Sequence, residues 1–301
     1  MKFDRRGWIA GAGALAASAC VPISNDMATR VAARLRIAEA ARGGTLGAWF
    51  VDSATGQGFG YKQDELFPHC SSFKFSLGTL LLARHEAGEI NADEHVRWSQ
   101  SDLVSHSPFT TERLAQGATL RELARTAQIT SDNTAANILL SRLGGPEGLT
   151  AFWRSLGDTT SRLDRTETEL NFVPLGEMRD TTSPRAMATT LLNILTRNVL
   201  SSGALAEQLQ WTRDTKTGLR RTRGGLPAAW DKGDKTGTAF APGMGSAYVD
   251  IGWFTPPGRA PFTYASYFRT SETHDRADPA SEAVLRDCGA VAAQAIRGLP
   301  G

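Results

Sequence analysis

The chain has 301 residues, of which 41% are hydrophobic and 21% charged, a balance that supports a packed core and excludes wholesale disorder. Its formal net charge of +2 belongs to the N-terminus. Without residues 1–19, where Lys2, Arg5 and Arg6 outweigh Asp4, the remainder is formally neutral and gives no reason to expect nucleic acid or an anionic membrane as a partner. With 3 cysteines and no long apolar run past the N-terminus, it is neither a disulfide scaffold nor a chain of membrane spans.

Residues 1–19 read as an address. Met1–Arg6 is basic, Trp8–Ala19 is apolar and small, and Ala17-Ser18-Ala19 is a small-x-small cleavage site. Those are the parts of an export signal. Arg5-Arg6 has the pattern of a twin-arginine signal, and Ala17-Ser18-Ala19-Cys20 that of a lipoprotein box. Both readings cut before Cys20; they differ in whether Cys20 carries a lipid anchor. A periplasmic location is therefore expected. Export permits disulfides, yet Cys70 and Cys288 are far apart, and both are expected to be free, with Cys70 buried.

In chain order, Met27–Arg42 has helical apolar spacing at Val31, Leu35 and Ala38, closed by Gly43-Gly44. Leu46–Val51 and Gly58–Tyr61, with Gly56 between, predict a hairpin. From Ser71 to about Trp211 the pattern is helical: Phe73–Ala87 is apolar-rich, Thr119-Leu120-Arg121-Glu122 is a capping box, and Pro184 opens a helix to about Arg197. Strands return at Lys235–Phe240, Tyr248–Phe254 and Phe262–Arg269. Asp278 then caps a last helix with Val284, Cys288, Val291 and Ala295 on one face. Strands at both ends with helices between predict an α+β fold: an antiparallel sheet flanked by the terminal helices, with an inserted helical domain. The α/β domain takes 27–68 and 212–301, the all-helical domain 69–211. A cleft between them is the default site.

Three short motifs carry chemistry. In Ser71-Ser72-Phe73-Lys74, one helical turn brings Lys74 beside the Ser71 hydroxyl. A neighbouring amine can take the proton that makes serine a nucleophile, and a helix N-terminus points N–H groups at an oxyanion. Ser131-Asp132-Asn133 offers a hydroxyl, a carboxylate and an amide that can relay a proton and grip a substrate amide. Lys235-Thr236-Gly237 opens a strand, where Lys and Thr suit a carboxylate and Gly lets a ligand lie against the edge. Lys216-Thr217-Gly218 repeats those letters but follows a helix, so the second copy is preferred. No His/Cys cluster has metal-ligand spacing.

S-x-x-K, S-D-N and K-T-G in this order are the signature of class A β-lactamases and penicillin-binding proteins. The chain resembles class A serine β-lactamases over essentially all of its length past the signal. The likeness extends through Phe67–Lys74, Ser131–Asn137, Arg162-Leu163-Asp164-Arg165 and Arg179–Pro184. The resemblance implies a five-stranded antiparallel sheet and an omega loop over 162–180 closed by an Arg165–Asp180 ion pair. Within it, Glu167 would activate the water that releases an acyl-enzyme and Asn171 would help hold that water. It further implies Ser71 as nucleophile, Lys74 or, through a water, Glu167 as proton acceptor, Ser131 as proton donor to the leaving nitrogen, and Asn133 for the side-chain amide. Lys235, Thr236, Gly237 and Thr238 would line the carboxylate site, with the Ser71 and Thr238 N–H groups as oxyanion hole. It implies β-lactams as substrates, a monomer, and no cofactor or metal.

Finer readings follow from the same likeness. Arg221 stands where some broad-spectrum members carry an arginine, and either adds charge to the carboxylate site or is solvated beside Arg220 and Arg223. His106 stands at the cleft mouth, as a stacking surface or a plain rim residue. Family carbapenemases often bridge the cysteine before the nucleophile to one after K-T-G-T; Ala239 occupies that second place here. Phe240–Ala247 is longer than the usual hairpin and is expected to alter access for bulky side chains. Glu167-Thr168 replaces the common Glu-Pro, whose bond is cis in the family. Penicillin-binding D-alanyl-D-alanine peptidases share the three motifs but generally lack the loop carboxylate; a β-lactam sensor that acylates once is a third reading.

Overall fold

A computed structural model describes residues 23–299; the expected export signal, Arg5-Arg6 and the expected anchor position Cys20 lie outside the described residues. Ser24 caps α1 (Asn25–Arg42), its hydroxyl accepting from Met27 N, and Met27, Val31 and Leu35 form the buried stripe. β1 (Thr45–Asp52) and β2 (Gly58–Tyr61) follow as a hairpin, then β3 (Phe67–Pro68) and α2 (Phe73–Glu86). Next come β4 (His95–Val96), α3 (Pro108–Glu112), β5 (Ala118–Thr119), α4 (Leu120–Ile129), α5 (Asn133–Arg142) and α6 (Gly145–Ser155). The Thr119/Glu122 capping box forms at the start of α4. A long loop leads to β6 (Thr181–Thr182), α7 (Pro184–Thr196), α8 (Ser202–Asp214) and the single turn α9 (Thr222–Gly225). β7 (Asp231–Phe240), β8 (Ser246–Thr255), β9 (Phe262–Arg269) and α10 (Pro279–Arg297) complete the chain, with Asp278 accepting from Ser281 N as the cap of α10.

The main sheet has the order β2-β1-β9-β8-β7, with every pair antiparallel. This is the expected α+β architecture. The early strand β1 pairs with the late strand β9 along its whole length, Thr45 opposite Arg269 and Asp52 opposite Phe262. Alternation along the strands divides the apolar side chains between two cores. Phe50, Phe254 and Tyr264 pack under α1 and α10, with Leu35 and Leu285. Val249 and Ile251 face the other way, toward Leu81, Leu123 and Leu191 of α2, α4 and α7. Each fully buried Leu or Phe of this kind contributes about 2 kcal/mol of transfer free energy.

Two boundaries differ from the sequence reading. β7 starts at Asp231, so Lys235-Thr236-Gly237 sits inside the strand and does not open it. Ladder pairing continues from Asp231↔Thr255 to Phe240↔Ser246, which leaves only residues 241–245 as the turn. Pairing across strands, invisible in either strand alone, extends both. Separately, α8 runs on to Asp214, and the helical stretch also contains the two-residue strands β4, β5 and β6.

Candidate active site

Edge strand β7, the N-terminus of α2, the α4–α5 connection and the loop before β6 meet at one cleft of about 890 Å³. Ser71 lies in a 3-10 turn, Cys70–Ser72, that runs into α2. Lys74, one turn on, is fully buried and donates to Ser71 Oγ at 2.9 Å. The same ammonium reaches Ser131 O (2.9 Å), Ser131 Oγ (3.3 Å), Asn133 Oδ1 (2.5 Å) and Glu167 Oε1 (2.9 Å). An ammonium has three protons, so these five acceptors share them.

Asp132 takes a different part from the one read in the sequence. Its carboxylate caps α5 by accepting from Ala135 N, and it also accepts from Phe109 N, Thr110 N and Thr110 Oγ1. It is fully buried and locks α3 to α5, which leaves Ser131 and Asn133 to face the cleft. Asn133 Nδ2 donates to Ser105 O at 2.8 Å.

Glu167 comes from the loop between α6 and β6. Asn137 of α5 pins its backbone twice, donating to Glu167 O at 2.8 Å and accepting from Glu167 N at 2.9 Å. The Glu167–Thr168 bond is cis. Its carboxylate lies 3.4 Å from Ser71 Oγ and accepts from Asn171 Nδ2 at 2.6 Å. Asn171 Oδ1 is buried without a protein partner. Arg165 and Asp180 form the expected ion pair at 2.6 Å. Asp180 also accepts from the N–H groups of Asp164 and Arg165.

On β7, Lys235 is fully buried and donates to Ser131 Oγ at 3.1 Å. Gly237 has a structural reason besides the one expected. A Cβ there would stand 2.7 Å from Cys70 Cβ and 2.9 Å from Ser71 N. The glycine lets the strand touch the nucleophile's own turn, and it also lines the cleft. Thr236 and Thr238 line the cleft. Arg221 is 3% exposed, which rules out the solvated reading. It donates to Gly237 O, Val249 O and Thr238 Oγ1 and pairs with Glu282. All three of its nitrogens are engaged, so it acts on the cleft by holding Thr238. His106 is exposed on the rim, where its Nε2 donates to Thr130 O at 2.9 Å. Cys70 and Cys288 are free and buried.

The buried charges interact strongly. Burial pushes Lys74 below the ordinary lysine range, and the Glu167 carboxylate pulls it back up. Burial drives Lys235 well below that range, and the Lys74 cation adds to the fall. A lysine held low is a better proton acceptor near neutrality. In the same strand, burial raises Asp234 to about 6 although Arg223 is paired with it.

The sequence reading missed one part of the wall. Lys216 and Thr217, of the copy set aside, also line the cleft. Thr217 Oγ1 shares a hydrogen bond of 2.5 Å with Thr236 Oγ1, so the two K-T-G runs lie side by side. The repeat was the available signal. Phe172 and Phe240 also border the cleft and are exposed.

A serine hydroxyl between a depressed lysine and a buried carboxylate, against a strand edge, can form an acyl-enzyme and then hydrolyse it. Comparison with known proteins agrees with that class. The model of the Beta-lactamase enzyme family matches residues 28–296. The carbapenem-hydrolyzing β-lactamase KPC of Klebsiella oxytoca is 41% identical over 257 residues, 85% of each chain. β-Lactamase AST-1 of Nocardia asteroides is 41% identical over 289 residues, 92% of each. The solved class A β-lactamase of the last common ancestor of Gram-negative bacteria is 43% identical with a TM-score of 0.83, covering 88% of this chain and 99% of that one. The chain belongs to the β-lactamase enzyme family, among its class A serine enzymes.

Proposed function

We propose that the chain hydrolyses penicillins and cephalosporins through an acyl-enzyme on Ser71 and thereby confers β-lactam resistance. With Lys74 in its neutral form, Ser71 Oγ attacks the lactam carbonyl carbon as its proton passes to Lys74; the alternative acceptor is Glu167 through a water. The N–H groups of Ser71 and Thr238 receive the oxyanion. The C–N bond then breaks, and Ser131 delivers a proton to the nitrogen. Lys235, Thr236 and Thr238 hold the ring carboxylate, and Asn133 takes the side-chain amide. Glu167 then draws a proton from a water held with Asn171, and the resulting hydroxide cleaves the ester. The observation that carries this reading is Glu167 itself: a buried carboxylate 3.4 Å from Ser71 Oγ, beside the open acceptor Asn171 Oδ1. Acylation needs only the nucleophile and its base; turnover needs this second base.

The test is turnover of a chromogenic cephalosporin by wild type, Ser71→Ala and Glu167→Ala. Loss in both variants, with a covalent adduct trapped only in Glu167→Ala, is expected. A single stoichiometric burst by the wild type would instead mean a penicillin-binding peptidase or a sensor.

The enzyme is further proposed to work as a monomer in the periplasm, exported through Arg5-Arg6, with Cys20 either carrying a lipid anchor or simply beginning the mature chain. Its α/β domain, 27–68 and 212–301, and its all-helical domain, 69–211, would share one core and meet at the cleft. No helix among the described residues is long and apolar enough to cross a membrane. Cell fractionation tests the address: Arg5→Lys with Arg6→Lys should strand the precursor in the cytoplasm, and Cys20→Ala should move the enzyme out of the membrane fraction under the lipoprotein reading and change nothing under the other.

A further inference from the structure

We infer that Lys216 is a specificity-determining residue that favours β-lactams whose ring carries an anionic substituent beside the ring carboxylate. The inference rests on the proposed β-lactam hydrolysis and deepens it. The Thr217–Thr236 hydroxyl contact of 2.5 Å joins the Lys216-Thr217 segment to the strand proposed to hold the ring carboxylate. The acylamino end of a substrate would face Asn133 and Asn171, on another part of the same wall. A substituent on the ring atom next to the carboxylate-bearing carbon would therefore reach over Thr217 toward Lys216.

Space and charge agree with that direction. A second cavity of about 670 Å³ is bordered by Arg125 and Asp214, and His106, Lys216 and Thr217 border both cavities. A substituent can thus leave the main cleft past Lys216. The basic neighbours are already engaged: Arg220 and Arg221 with Glu282, Arg223 with Asp234, and Arg125 with Asp214. Lys216 is exposed and forms no ion pair among the described residues. Its charge is uncompensated where the substituent would pass, so an anion there is attracted and a cation repelled.

The test uses three cephalosporins with one acylamino side chain and a carboxylate-bearing, a neutral or a quaternary-ammonium group at the 3-position. kcat/KM is measured for wild type, Lys216→Ala, Lys216→Glu and Lys216→Arg, each normalised to the neutral compound, so intrinsic leaving-group chemistry cancels between variants. Lys216→Ala should lower the anionic-to-neutral ratio about threefold to fivefold, the scale of one exposed charge pair. Lys216→Glu should lower it further and raise the cationic-to-neutral ratio, and Lys216→Arg should preserve both. KM should carry the change, and added salt should shrink it. Ratios that stay constant while the wild type turns over all three compounds overturn the inference alone, as does an equal loss on all three. A wild type inactive on every compound would instead sink the hydrolase reading beneath it.

Discussion

Lys74 and Glu167 form a 2.9 Å ion pair in which neither side chain is exposed to solvent. Taking two charges out of water costs several kcal/mol each, and the pair offsets this only while both partners are present. Each charge therefore offsets part of the desolvation cost of the other, and the Glu167 carboxylate holds the Lys74 pKa up against burial. Removing the Glu167 charge takes away the main influence that raises the Lys74 pKa against burial. Acylation through neutral Lys74 is lost as pH falls through that pKa. In Glu167→Gln the pKa drops further, so the acidic limb of the single-turnover acylation rate should move to lower pH. Stopped-flow acylation across pH checks this; an unmoved limb would show that Lys74 is not the proton acceptor.

Gly237→Ala should cripple the enzyme without emptying the cleft. The new Cβ would press on Cys70 and on Ser71 N, so either the strand edge or the nucleophile's turn must shift. Overpacking of this kind costs about 1–3 kcal/mol. Because the displaced N–H is a proposed oxyanion donor, kcat should fall more than KM rises.

Arg221 ties α10 to β7 and β8 through four partners. Arg221→Ala leaves Glu282, 2% exposed, with only the exposed Arg220. A destabilisation of about 3 kcal/mol is expected from the broken buried pair. Thermal unfolding should show it, together with a raised KM as Thr238 loses its anchor. Arg221→Lys should recover part of the stability and little of the KM, because a single ammonium cannot reproduce the guanidinium fork.

Asp180 closes the Glu167 loop from a fully buried position, accepting two backbone N–H groups as well as Arg165. Asp180→Ala should cost about 3 kcal/mol. Its kinetic effect should fall on deacylation, since a misplacement near 1 Å can cost about 100-fold and the turn of Ser71 is held to Asp180 by the backbone bond His69 N to Asp180 O, not by the carboxylate. Pre-steady-state traces should show a burst followed by a slow phase. Equal slowing of both phases would contradict a loop-specific role.

The β7–β8 turn does more than govern access. Met244, 3% exposed, seats its sulfur 3.3 Å from Val173 N, so the turn supports the loop that carries Glu167. Deleting the turn would disturb both functions at once, and point changes separate them. Met244→Ala should cost about 2 kcal/mol or more through a cavity and slow deacylation of every substrate. Phe240→Ala, at a 37% exposed position on the cleft, should leave stability nearly unchanged and alter preference between bulky cephalosporins and benzylpenicillin.

Much of this protein follows from short-range rules. The Ser71–Lys74 contact needs only three residues of helical spacing. The caps at Thr119 and Asp278, the apolar stripe of α1 and the late strands were legible for the same reason: each is a pattern within one element. Glu167, Asn171 and the Arg165–Asp180 closure lie in a loop with no period of its own, and only likeness to a family pointed to them.

Other features depend on which element lies against which. Asp132 was read as chemistry and proves to be a cap and brace, because its partners Phe109 and Thr110 lie more than twenty residues away. Gly237 was read for its ligand and also packs against Cys70, a contact between a strand and a turn far apart in the chain. Lys216-Thr217 was set aside for following a helix, yet α8 delivers it to Thr236. Spacing and caps determined the elements and the nucleophile's partner by themselves, since those energies are local. The second base's position, the shared wall of two K-T-G runs and the burial that depresses both lysines were decided only by tertiary packing, because desolvation and close approach exist only once distant segments exclude water together.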